Sequence, residues 1–144
     1  MATLNDIHAA IATAVNGVGG LHATAWPEQG GTPPLAWPEL DDWAPTVMKR
    51  RGTKVYQFTL KVFTSEATRP QDGYKALIEL ADSNEGTSIE LAIWDANDQV
   101  AGAFGGLADT SAVVKAFTKL GRQEVDGREM YGGEFTLQVA TRGA

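Results

Sequence analysis

Hydrophobic positions recur along this chain with two periods, and the switches between them mark its elements. Leu4, Ile7, Ile11, Ala14, Val15 and Val18 follow a helical spacing behind Thr3, whose hydroxyl suits an N-cap, and Gly17, Gly19 and Gly20 stop the pattern. An amphipathic N-terminal helix is predicted. Leu21 to Trp26 reads as a short strand ended by Pro27. The following Gln29-Gly30-Gly31-Thr32-Pro33-Pro34 supports neither helix nor sheet, so the chain is expected to loop out through a Pro- and Trp-rich segment. Past Pro45, Lys54 to Phe63 alternates, with Tyr56, Phe58, Leu60 and Val62 on one face, and forms the strongest strand pattern in the chain.

Pro70 suits the first turn of a helix, where its fixed φ helps and its missing N–H costs nothing, and Tyr74, Leu77, Ile78 and Ala81 mark the buried stripe. A second short helix starts at Thr87-Ser88-Ile89-Glu90, which has capping-box spacing. Ile89, Ala92 and Ile93 face inward with Trp94 assigned to the same core, and the helix ends near Asp95 to Asp98. Gly102, Gly105 and Gly106 then break the chain. Ser111 to Leu120 fits either period, and its β-branched and aromatic residues favour a strand. Gly121 to Arg128, with the turn signal Asp126-Gly127, leads into Met130 to Thr141, where Phe135, Leu137 and Val139 alternate with polar residues. The order helix, strand, strand, helix, helix, strand, strand predicts an α+β fold: an N-terminal helix and a mixed or antiparallel four-stranded sheet covered by helices.

At 144 residues and 43% hydrophobic, the chain is expected to form one domain over its whole length. It holds no cysteine, which excludes disulfides, thiolate metal sites and thiol nucleophiles. No basic leader precedes an apolar stretch, and no apolar run approaches the ~18 residues that span a bilayer, so a soluble protein made in the cytoplasm, with no membrane partner, is expected. The net charge of −6 has the wrong sign for gripping nucleic-acid phosphates. Charge is also segregated. Lys49, Arg50, Arg51, Lys54, Lys61, Arg69 and Lys75 crowd the middle, whereas Ala76 to Val114 contains no Lys or Arg and carries Glu79, Asp82, Glu85, Glu90, Asp95, Asp98 and Asp109. Both stretches serve as solvated faces, or else as complementary edges for a head-to-tail contact between copies.

Chemistry-bearing patterns are sparse. His8 and His22 are the only histidines, too few for a metal site without further ligands. Asp95-Ala96-Asn97-Asp98-Gln99 opens like a calcium loop, but Val100 stands at the turn-glycine position and Gly106 where the bidentate Glu belongs. Gly102-Ala103-Phe104-Gly105-Gly106 follows a helix, whereas a phosphate-binding fingerprint follows a strand and opens a helix. Neither a Gly-x-Ser-x-Gly elbow nor a Ser-x-x-Lys pair occurs. No catalytic, metal or cofactor residue is assigned, and no enzyme activity is expected. Trp26, Trp37 and Trp43 cluster in or beside the Pro-rich segment, where they either close the core under a long loop or anchor a protein interface.

Several stretches carry a likeness taken in order. They are the N-terminal helix; the Pro- and Trp-rich loop; Arg51-Gly52 leading into Val55-Tyr56-Gln57-Phe58-Thr59-Leu60-Lys61-Val62; Thr87-Ser88-Ile89-Glu90-Leu91-Ala92-Ile93; Phe104-Gly105-Gly106-Leu107-Ala108-Asp109; and Tyr131-Gly132-Gly133-Glu134-Phe135. Over nearly the whole chain, as an order of elements, this layout resembles the tail terminator proteins of long-tailed siphophages of actinobacterial hosts; the turn from Val125 to Arg128 departs from it. The resemblance implies a structural protein of the virion neck, a hexameric ring that caps the finished tail tube, stops its polymerisation and joins tail to head. Its partners would be copies of itself, the major tail tube protein and the head–tail connector, with DNA passing through the lumen without specific binding. Interface residues are then expected at Trp26, Trp37 and Trp43 and at Lys49, Arg50 and Arg51. Another neck or head-completion connector fits the same motifs, and a small-ligand-binding domain with the Trp-lined loop as its pocket is the alternative of a different class.

Overall fold

The structure is a computed structural model and describes residues 3–27, 34–45, 54–66, 70–82, 88–98, 100, 102–125 and 127–141. Its elements run α1 (Leu4–Val15), a 3-10 turn (Val18–Gly20), β1 (His22–Ala23), β2 (Leu35–Pro45), β3 (Lys54–Glu66), α2 (Pro70–Ala81), α3 (Ile89–Ala96), β4 (Asn97–Asp98), β5 (Ala103–Phe104), β6 (Leu107–Ala108), β7 (Thr110–Val125) and β8 (Arg128–Thr141). One five-stranded sheet has the order β1-β2-β3-β8-β7, and β4, β5 and β6 form a separate three-stranded sheet. The large sheet is mixed, because β1 runs parallel to β2 while its other pairs are antiparallel. The class is α+β.

Helix α1 begins with a reciprocal cap. Thr3 Oγ1 accepts from the Asp6 N–H at 3.1 Å, and the Asp6 carboxylate accepts from the Thr3 N–H at 3.1 Å, which satisfies donors that a first turn leaves orphaned. Its buried face carries Ile7, Ile11 and Val15 onto a core built with Phe58, Leu60 and Val62 of β3 and Phe135, Leu137 and Val139 of β8. Full burial of one such side chain contributes roughly 1.5–3 kcal/mol. Leu77 and Leu80 from α2, Ile89 and Ile93 from α3, and Phe104 from β5 join the same core, so the helices and the small sheet lie on one face of the large sheet. Thr64 Oγ1 donates to the Gly73 carbonyl at 2.9 Å and ties β3 to α2. The glycine-rich stretch after α3 serves packing: Gly105, at φ 55°, lies so close to α1 that a Cβ there would sit 3.0 Å from Ala10 Cβ.

Odd positions of β2 and β3 build a second, smaller cluster on the opposite face, where Leu35, Trp37 and Phe63 bury together with Met130 of β8. The two glycines of Tyr131-Gly132-Gly133-Glu134 serve both faces. A Cβ on Gly133 would sit 2.6 Å from the Phe117 ring on the core side, and one on Gly132 would collide with the Val62 carbonyl oxygen and the Phe63 ring. Aromatic rings thus cover the bare backbone of β8 from each side.

Four expectations require correction, the first being the stripe of α2, where Leu77 and Leu80 are buried while Tyr74 and Ile78 are exposed. The large sheet has five strands rather than four, because Leu35–Pro45 is a strand of 11 residues and not a loop. Two prolines disguise it. The Thr24 N–H donates to the Ala36 carbonyl at 3.0 Å, so even positions of β2 turn their backbone groups outward, and Pro38 directs its missing N–H away from β3. Proline is compatible with a strand at such an edge. Trp94, assigned to the core, is 58% exposed, because Ile89 and Ile93, one turn apart, take the buried side of α3. Ser88 caps α3 through its hydroxyl, which accepts from the Leu91 N–H at 3.3 Å, one residue later than the predicted start. Thr87, residues 29–33 and Asp126 of the predicted turn lie outside the described residues.

Candidate assembly surface

The three tryptophans singled out from the sequence go to different places. Trp37 is 4% exposed, packs on Phe63 with ring centroids 5.2 Å apart, and donates from Nε1 to Glu39 Oε1 at 3.4 Å. It therefore closes a cluster within the protomer. Trp26 is 53% exposed and stacks on His8, with centroids 4.7 Å apart and planes 23° apart. His8 in turn donates from Nδ1 to the Leu4 carbonyl at 2.7 Å and meets Phe58 edge-on at 5.1 Å. Trp26 is thus held in place with a wet outer surface. Trp43 belongs to β2 opposite Tyr56, and its side chain lies outside the described residues. Lys49, Arg50 and Arg51 also lie outside them, in the connection between the paired ends Pro45 and Lys54.

The sheet has two different ends and two different edges. The β2–β3 hairpin turns beyond Pro45 and Lys54, at the end where Thr141 and Thr110 also pair; the β7–β8 hairpin turns between Val125 and Arg128 at the opposite end. On the face away from the helices, Glu39 pairs with Lys61 at 3.0 Å, Lys61 stands opposite Glu134 in register, and Glu134 pairs with Lys119 at 3.4 Å. The sign of charge alternates across the sheet. Lys119 adopts a left-handed φ of 58° in the bulge between Thr118 and Gly121, a conformation that costs a side-chain-bearing residue about 1–2 kcal/mol. Its ammonium thereby reaches a carboxylate that is largely buried.

Beyond β7, on the helix side, Trp94, Asn97, Asp109 and Ala112 line a groove of about 390 Å³. A smaller recess of about 170 Å³ continues it between Ile93, Trp94, Val113 and Val114. Both open along the edge strand, so the exposed indole of Trp94 lies beside an exposed Val113. Sequence reasoning missed this site because it placed Trp94 inside.

Among the described residues, no group of three or more His, Cys, Asp or Glu side chains could hold a metal ion. No helix there is long and apolar enough to cross a membrane. The described surface carries two exposed indoles, Trp26 and Trp94, and a row of alternating fixed charges on the face away from the helices. No known protein-family model matches this sequence, and no curated protein matches it significantly.

Proposed function

We propose that this chain is a structural protein of a long-tailed phage, a tail terminator whose copies form a ring that caps the tail tube, halts its polymerisation and joins it to the head connector. The observation that supports this reading is the pair of hairpins turning at opposite ends of one sheet. A ring subunit between two unlike neighbours needs two unlike axial surfaces, and such a sheet supplies them from one rigid layer. Among the described residues, Lys54, Thr110 and Thr141 meet at one end of the sheet, whereas Arg122, Glu124, Arg128 and Glu129 flank the Val125–Arg128 turn at the other, so the two ends carry different charged groups. The mechanism in this reading is geometric and involves no bond-making. The acidic balance of −6 keeps passing DNA phosphates from adhering to the lumen.

The test is imaging by negative stain, with mass photometry, of the protein alone and mixed with purified tail tubes encoded beside it. Rings at one tube end, with tube length no longer growing, support the terminator; rings that bind connectors and ignore tubes make it another neck component. A persistent monomer that binds neither, and whose melting temperature rises with a small molecule seated at Trp94, sinks the assembly reading in favour of a ligand-binding domain.

A further inference from the structure

Bulges stand on the same rung of the large sheet in its edge strand β7 and in β2, which β1 covers only at Leu35 and Ala36. On β2 the register shifts between Leu40 and Asp42, which leaves Asp41 as the extra residue. On β7 it shifts between Val114 and Ala116, which leaves Lys115. Leu40 pairs with Phe58, Phe58 with Leu137, and Leu137 with Val114, so these two bulges share a level across four strands. One holds an acid and the other a base, and both side chains are exposed, the Asp41 carboxylate being held at one oxygen by the Thr59 hydroxyl, which donates to it. The wider composition agrees: β2 contains Glu39, Asp41 and Asp42 and no Lys or Arg, whereas β7 contains Lys115, Lys119 and Arg122 against Glu124.

The exposed tryptophans flank these strands on the helix side. Trp26 follows β1 at the β2 edge and reaches the rung through His8 and Phe58; Trp94 lines the recess against Val114 at the β7 edge. The long strands β2, β3, β8 and β7 are four in number and alternate in direction. A copy generated by rotation about an axis along the strands therefore presents its β2 antiparallel to the first copy's β7, with the same face outward.

From these relations we infer that the β7 edge of each protomer docks on the β2 edge of the next copy, with Lys115 facing Asp41 and Trp94 facing Trp26. This contact rests on the ring reading and specifies how the ring closes: head to tail, each protomer using both edges once. The Asn97 carboxamide already occupies the backbone of β7 at Ala112, and β1 with Thr24 occupies that of β2 at Leu35 and Ala36, so side chains rather than a continuous backbone ladder carry the contact. Opposite charges set the register, and desolvated indoles supply contact area of the kind concentrated at interface hot spots.

Because the chain contains no cysteine, introduced thiols have no native competitors. Asp41→Cys and Lys115→Cys proteins, each alone and then mixed, are treated with a short bis-maleimide in the presence of tail tubes and resolved by denaturing electrophoresis. The expected result is a dimer band in the mixture only, and a ladder from the Asp41→Cys, Lys115→Cys double variant. Charge reversal supplies an independent arm. Lys115→Glu alone and Asp41→Lys alone raise the concentration for half-assembly on the order of tenfold or more, and the two together restore it, because like charges meet in the singles and opposite charges in the double. Rings at tube ends without the mixed cross-link and without charge-swap rescue overturn the edge contact while leaving the terminator standing, and the bulges and lysines are then guards against strand pairing. Cross-linking within a single variant points to a two-fold contact and overturns it likewise. Absence of any ring from the wild-type chain, with or without tubes, removes both.

Discussion

The Asn97 side chain grips the backbone of Ala112 by both hands: its Oδ1 accepts from the Ala112 N–H at 3.0 Å, and its Nδ2 donates to the Ala112 carbonyl at 2.9 Å. The same Nδ2 donates to the Ile93 carbonyl at 2.8 Å, so one carboxamide closes the end of α3 and caps an edge strand. It reproduces there what a neighbouring strand would offer. Asn97→Ala leaves buried backbone groups without partners and is expected to destabilise the protein by about 1–3 kcal/mol. Asn97→Asp keeps the acceptor, loses the donor and is expected to fall between. Urea unfolding followed by far-UV circular dichroism checks the order; an alanine variant as stable as wild type would show that water replaces the carboxamide.

Adjacent glycines in β8 should differ in their tolerance of a methyl group. At Gly132 the added carbon meets the backbone oxygen of Val62, which cannot move without disturbing the β3–β8 ladder, whereas at Gly133 it meets the Phe117 ring, which is only partly buried. Gly132→Ala is expected to cost about 2–3 kcal/mol or to prevent folding, and Gly133→Ala about 1 kcal/mol. Replacing Phe117 by Leu should lower the cost at Gly133 and leave that at Gly132 unchanged, which a double-mutant cycle measures.

Two tryptophans separate fold from surface. Trp37→Ala empties a buried cluster shared with Leu35, Phe63 and Met130, and is expected to cost about 3–5 kcal/mol. Trp94→Ala removes a side chain that is mostly wet, and should change stability by no more than about 0.5 kcal/mol. Thermal melts of the two variants suffice; a large loss at Trp94 would mean that the groove is held closed in solution.

Acid should loosen α1 through its cap. The Thr3 backbone N–H, and after it the Thr3 hydroxyl, hold the Asp6 carboxyl below the ordinary carboxylate range. A depressed acid contributes stability that is fully present above its unfolded pKa and is lost as pH falls through its folded value. The advantage of wild type over Asp6→Asn should therefore be constant above about pH 5 and shrink below about pH 4. Melting both proteins from pH 3 to pH 7 tests this, and parallel curves throughout would refute it.

Local pattern carried much of this architecture. The cap and stripe of α1, the alternation of β3 and β8, the proline start of α2 and the strand at Ser111 to Leu120 are properties of neighbouring residues, since periods of 3.6 and 2 decide which side chains can share a face. The sequence left Trp26 and Trp37 open between core and surface, and packing divided them, with Trp26 exposed and Trp37 buried. It could not show β2, whose prolines are tolerated only because that strand lies next to the edge, a position settled by pairing with β3 and the short β1. Nor could it orient Trp94: α3 is apolar on several sides, and which side meets the sheet depends on packing against α1 and β7. Asp41 and Lys115 lie 74 positions apart by their numbers and share a rung only through three strand registers. Short-range sterics and hydrophobic period thus set the elements of this chain, while the sheet order, its charged edges and the faces of its tryptophans were decided by long-range pairing, which no local window contains.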